Sequence, residues 1–203
     1  MYEIITLDTP GLGDRSYILH DGRVAVVIDP QRDLDRILDL VEDRDLTVTH
    51  VLETHIHNDY VSGGPVLVES TGATYVVNAL DPVDFARFGV TDGDVIEISG
   101  AWRIRVLATP GHTYTHLAFA AEVDGDVVGV FTGGSLLYGS TGRPDLLGVE
   151  HADELARHQY ASAHRLVSEL PADSALFPTH GFGSFCSATQ SDGLSSTLGH
   201  EHR

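Results

Sequence analysis

The chain has 203 residues and a mass of 21.9 kDa, enough for one globular domain with a buried core. Thirty Asp and Glu against twelve Lys and Arg give a formal charge of −18, which disfavours nucleic acid and anionic membrane surfaces as partners. A 42% hydrophobic content argues against general disorder, and no apolar run approaches the roughly 20 residues needed to cross a bilayer.

"YEIITL", "SYILH" and "VAVVIDP" open the chain as β-branched or aromatic strands, separated by the turn signals "DTPGLGD" and "DG". "RDLDRILDLVED" follows with Leu34, Ile37, Leu38 and Val41 at i, i+3, i+4 and i+7, the spacing of an amphipathic helix. "TVTHVLE" is an apolar strand of the kind buried between layers. "PVLVESTG" is expected to be helical, with Pro65 in its first turn and Gly72 at its end. "TYVVN", "DVIEI", "WRIRVLA", "HLAFAAEV" and "VVGVFT" are further strands, "HADELARHQYASAHRLVSEL" is the longest helix, and "ALFP" is a last short strand. The alternation at both ends, with a run of strands between, is that of a layered α/β fold with two sheets and helices outside. One domain is expected over residues 1–188, and residues 189–203 form a polar tail. The N-terminal "MYEIITLDTPG" has neither a basic segment nor an apolar core of the secretory kind, and the lone Cys186 excludes an internal disulfide framework. The expected location is therefore cytoplasmic.

Twelve histidines are many for this length, and three groups of them share a design. In "ETHIHNDYVSGG", His55, His57 and Asp59 occupy alternate positions as a strand ends, and alternate residues of an extended chain face one side. "VLATPGHTYTH" runs an apolar strand through a Pro-Gly turn into His112, and "ALFPTHG" delivers His180 in the same way. Loops at the ends of rigid strands are where functional groups gather. Imidazole nitrogens and a carboxylate oxygen suit zinc, iron or manganese.

"THIHNDY", "TPGHT", "FTGGSL" and "PTHG", in this order, resemble the metallo-β-lactamase superfamily. "GRPDLLG" after "FTGGSLLYGST" narrows the likeness to the persulfide dioxygenase and glyoxalase II branch, nearest the lactamase-like module of bacterial rhodanese-fusion proteins. The resemblance runs over about residues 3 to 188. It implies an αβ/βα four-layer sandwich, two mixed sheets flanked by helices, with a metal cleft at its top. It also implies metal ligands at His55, His57, His112, Asp59 and His180. Two family positions depart from the pattern: Tyr60 stands where the motif has a final histidine, and Gly134 stands where a metal-bridging aspartate is usual. Two ions are therefore not expected. One divalent ion, Fe(II) or Zn(II), is expected at His55, His57 and His112, with Asp59 as an alternative oxygen ligand.

Three residues are candidates for catalysis. Asp59 could orient or deprotonate a water. Tyr60 could donate a phenol hydrogen bond or simply pack. Arg143 could hold a substrate carboxylate or pair with Asp145. Cys186 has no cationic neighbour in sequence and reads as a small buried residue. His151, His158 and His164 read as surface, His200 and His202 as solvated, and His50 and His116 as core or rim. The resemblance implies oxidation of a small persulfide by O₂. Alternatives are hydrolysis of a thioester and a degenerate, non-catalytic domain. The implied partners are a small thiol, persulfide or thioester, a rhodanese protein and a second copy in a homodimer; neither nucleic acid nor a membrane is expected.

Overall fold

The computed structural model describes residues 2–100, 102–187, 189, 193 and 195–202. Two six-stranded mixed sheets face each other. The first runs β1 (Glu3–Thr9), β2 (Asp14–His20), β3 (Val24–Ile28), β4 (Thr47–Leu52), β5 (Thr74–Asn78) and β6 (Phe88–Val90), in chain order. The hairpins β1–β2 and β2–β3 are antiparallel, whereas β3–β4 and β4–β5 are parallel. A parallel pair needs a crossover long enough to return the chain. The helices α1 (Asp35–Asp43) and α2 (Gly64–Thr71) supply those crossovers. The second sheet comprises β7 (Val95–Ser99), β8 (Trp102–Ala108), β9 (Leu117–Val123), β10 (Asp126–Gly133), β11 (Ala175–Pro178) and β12 (Ser196–Thr197). Its parallel pair, β10 and β11, is bridged by α3 (Ala152–Glu169).

Strand alternation divides the apolar residues among three layers. Tyr17, Leu19, Val26, Ile28 and Leu52 of the first sheet meet Ile104, Val106, Leu117, Phe119 and Phe131 of the second. The intervening residues Ile18, Ala25, Val27 and Val51 face outward under α1 and α2, against Leu34, Ile37 and Leu67. On the far side Leu107, Ala118, Ala120 and Val130 pack with Leu166 and Leu170 at the end of α3. The strand period of two and the helical period noted in the sequence thus build an αβ/βα sandwich. Gly72, with φ of 73°, ends α2 in the left-handed conformation that glycine adopts without steric cost. Among the described residues no helix is long and apolar enough to cross a membrane.

Two strands escape sequence reasoning. The three residues of β6 are too few to show a period. In the segment expected as a polar tail, residues 190–192, 194 and 203 lie outside the described residues. Ser196 and Thr197 there pair with Leu176 and Ala175, and the helical turn α4 (Leu198–Glu201) follows. Leu198 is fully buried with Leu166 and Leu176. One anchoring leucine leaves no pattern to detect in a Ser- and Gly-rich stretch. Leu198→Ala is therefore expected to lower the unfolding free energy by about 2–5 kcal/mol in denaturant titrations. A frayed end would lose less than about 0.5 kcal/mol.

Candidate metal centre

Several of the groups that converge on the cleft follow the end of a strand or begin one. Asp29 follows β3 in a left-handed turn, φ 49°, and His55 lies three residues beyond β4. His112 follows β8, Gly134 follows β10 and His180 follows β11. Asp14 begins β2, whose first residues run beside the β11 loop, Arg15 N donating to Thr179 O at 2.8 Å.

His55, His112 and His180 are buried and converge, with ring centroids 4.9–5.3 Å apart. One donor nitrogen from each lies within 4.8 Å of the others. Their Nδ1 atoms are all occupied. His112 Nδ1 is 2.9 Å from Arg143 O, which can only accept, so this nitrogen carries the hydrogen. His180 Nδ1 is 2.8 Å from the Asp14 carboxylate. His55 Nδ1 is 2.9 Å from Thr54 Oγ1, whose own hydrogen goes to Asp29 Oδ2 at 2.7 Å, leaving the hydroxyl to accept. Such partners fix tautomer and ring orientation in metal-binding histidines.

The Nε2 atoms are then left with lone pairs, and those of His55 and His180 face each other across 3.3 Å. Burial lowers the pKa of all three rings: to about 3 at His112, to about 4 at His180, and well below the usual value at His55. Neutral imidazoles are what a divalent ion requires. Two nitrogens bound at 2.0–2.1 Å with a tetrahedral angle lie about 3.3–3.4 Å apart. The donor set fits one nitrogen-liganded ion with a position left open.

The structure brings His180, rather than His57, into the trio with His55 and His112. Residues 53–63 bend repeatedly instead of staying extended, and His57 turns inward. Its Nε2 lies 3.3 Å from Asp29 Oδ1 and 3.5 Å from Glu53 Oε2. Burial by itself would lower the His57 pKa, but the two carboxylates outweigh it and hold the ring at about 10. His57 is thus a buried imidazolium between two acids. Asp59 stands beside it, Oδ1 3.9 Å from His57 Nδ1 and Oδ2 3.6 Å from His180 Nδ1, with neither oxygen hydrogen-bonded.

Tyr60 stacks on His57 at 4.3 Å and donates its hydroxyl to Asp29 O at 3.3 Å, so its ring packs and its phenol is committed inward. Arg143 grips Asp145 through Nε and Nη2 at 2.9 and 2.8 Å, while its carbonyl orients His112. Cys186 is buried, and burial first, then the nearby Asp59, pushes its thiol pKa up. Of the other histidines, His116 is in the core: its Nε2 accepts from Gly134 N at 3.0 Å and its ring stacks on His55. His151 and His158 are on the surface, paired with Glu150 and Glu154.

The turn at Gly134 has no room for the aspartate that the resemblance leads one to expect there. A Cβ there would come within 2.3 Å of His112 Cδ2, so the His112 ring already occupies that space. Asp14, Asp29, Glu53 and His116 all serve this centre, and none was singled out from sequence. A buried-type run ending in Asp, as in "VVIDP", was the available signal, because it repeats the strand-to-ligand design of the histidines.

His57→Gln removes the cation between Asp29 and Glu53. In chelator-treated protein it is expected to cost about 3–5 kcal/mol of unfolding free energy, as for other buried pairs broken on one side. If His57 served only to bind metal, stripped wild type and variant would unfold together.

The profile of the metallo-beta-lactamase superfamily matches residues 10–180. The hydroxyacylglutathione hydrolase of Methylobacillus flagellatus is 28% identical over 167 residues, 82% of this chain and 61% of that protein. The mitochondrial persulfide dioxygenase ETHE1 of Homo sapiens is 31% identical over 180 residues, 88% of this chain and 65% of that protein. The chain therefore spans less than two thirds of the length of each. A metallo-beta-lactamase structure from Staphylococcus aureus superposes with a TM-score of 0.88 at 29% identity, covering 98% of this chain and 61% of that one. By profile, sequence and fold, the chain belongs to the metallo-beta-lactamase superfamily.

Proposed function

We propose that the chain is a mononuclear metal-dependent enzyme for sulfur-containing small molecules, and that it oxidises a low-molecular-weight persulfide to sulfite. The balanced reaction is RSSH + O₂ + H₂O → RSH + SO₃²⁻ + 2H⁺. The carrying observation is the pair of facing Nε2 lone pairs 3.3 Å apart in a buried pocket, an arrangement that repels unless a cation lies between them. His55, His112 and His180 would hold that ion. Bound there as iron, it would supply open positions for O₂ and the persulfide sulfur.

The protein's own groups supply the rest. Asp14, Thr54 and the Arg143 carbonyl hold the three rings in one tautomer and orientation. Asp59, 90% buried at the cleft floor beside His180, would orient the reacting groups there. Tyr60 shields the His57 ion pair from water and has no direct chemical role. The likeness to a persulfide dioxygenase supports the substrate class, and the closed space at Gly134 supports a single ion. A cytoplasmic location, a rhodanese partner and a homodimer belong to the same proposal.

Thioester hydrolysis is the second reading. A set of three imidazoles without a carboxylate is a donor set of catalytic zinc, which lowers the pKa of bound water to about 7. The likeness to a hydroxyacylglutathione hydrolase supports it as well.

Oxygen consumption and sulfite release by iron-loaded protein, measured over several persulfides, separate the readings. Uptake is expected in the wild type and should fall at least a hundredfold in His112→Ala. No uptake above that variant with any persulfide would overturn the dioxygenase reading, and thioester cleavage by zinc-loaded protein would then favour hydrolysis. Less than about 0.1 metal per chain after gentle purification would favour a non-catalytic domain, since catalytic sites normally keep their ion.

A further inference from the structure

A cavity of about 530 Å³ opens beside the metal centre, within the range of small-molecule sites. Ile56, Pro82, Val83, Tyr114 and Leu147 form its apolar walls, and Ile56, Tyr114 and Leu147 are 42–44% exposed. His57 lines the cavity and its ring lies 4.0 Å from that of His55, so a molecule seated there has one end beside the histidine cluster.

The described lining of this cavity offers no arginine to an anionic occupant. All twelve basic residues of the chain are arginines, with no lysine, and among the described residues no arginine lines the cavity. Arg87, the nearest to the Asp81–Val83 wall, donates to the carbonyls of Ala79, Asp81 and Val83 at 3.0–3.3 Å. Arg143 is held by both oxygens of Asp145. The imidazole on the lining, His57, is flanked by the carboxyl groups of Asp29, Glu53 and Asp59. The remaining charged-type group on the wall is the buried carboxyl of Asp81, whose Oδ2 has no partner. In either protonation state it offers no positive charge.

We infer, resting on the sulfur-substrate reading above, that the substrate's organic half is an apolar, carboxylate-free group rather than a tripeptide thiol of the glutathione kind. The carboxylates of such a peptide would enter a cavity whose described lining carries no arginine and is mostly apolar, and burying an unpaired charge is costly. An alkyl or aryl carrier instead buries its surface against Ile56, Val83 and Leu147, and directs its sulfur at the histidines. Discrimination comes from the walls, not from a charge clamp.

Two unreactive thioethers with the same benzyl head test this. Calorimetric titration of metal-loaded protein compares neutral 2-(benzylthio)ethanol with S-benzylglutathione. The neutral ligand is expected to bind at least tenfold more tightly. Ile56→Asp should weaken it at least fivefold, and Val83→Arg should strengthen S-benzylglutathione at least fivefold. Equal or tighter binding of S-benzylglutathione by the wild type overturns the inference. So does binding of neither ligand, or a neutral ligand indifferent to Ile56→Asp. Neither thioether can turn over, so a protein inactive on every persulfide would defeat the functional reading without touching this result.

Discussion

One buried carboxylate holds the centre together. Asp29, with no exposed surface, accepts from Thr54 N and Thr54 Oγ1 of the β4 loop and from Thr179 Oγ1 of the β11 loop. Its carbonyl accepts from Ser16 Oγ at 2.7 Å and from Tyr60. Burial acts to raise its pKa, but His57 and these donors prevail and keep the carboxyl below its ordinary value. A fully buried anion persists only when it is this well paired and hydrogen-bonded. Because Thr54 spends its hydrogen on Asp29, it must accept from His55, and that sets which nitrogen of His55 faces the cleft. Asp29 thus ties the two sheets at the mouth of the sandwich and fixes a ring it never touches.

Chemistry and packing are therefore coupled at this end of the molecule. His57 serves as the counter-ion of Asp29 and Glu53, which frees the Nε2 atoms of His55, His112 and His180 to face one another. Gly134 permits the His112 ring to fill the volume a carboxylate would need, and His116 pins the backbone of that turn. Tyr60, in the place of a further ligand, lies flat over His57. Tyr60 and Gly134, the two departures noted in the sequence, each have a structural counterpart in this packing. Beside the centre lies an apolar cavity lined by Ile56, Val83 and Leu147.

Much of this was legible in the residues. Periods of two and 3.6 located nearly every strand and helix, since each element buries one face against a defined layer. Three apolar strands ending in histidine located His55, His112 and His180, because a strand terminus is a rigid place to hold a ligand. The place of His57 was not legible. Alternate spacing puts two side chains on one side only while the chain stays extended, and it bends after Leu52. The role of Asp29 was hidden for a related reason: its partners, Thr54, His57 and Thr179, come from loops 25 to 150 residues away, and local sequence carries no record of such pairing. Tyr60 and Arg143 offered both a chemical and a structural role by residue type; only the distances, to Asp29 O and to Asp145, separate them.

X-ray absorption at the metal edge of the loaded protein tests the central claim most directly. The expected spectrum has three imidazole nitrogens in the inner shell of one ion per chain, and it lacks any second metal at the roughly 3.5–4 Å of paired sites. A metal–metal scattering path, or a shell holding fewer than two imidazoles, would contradict it.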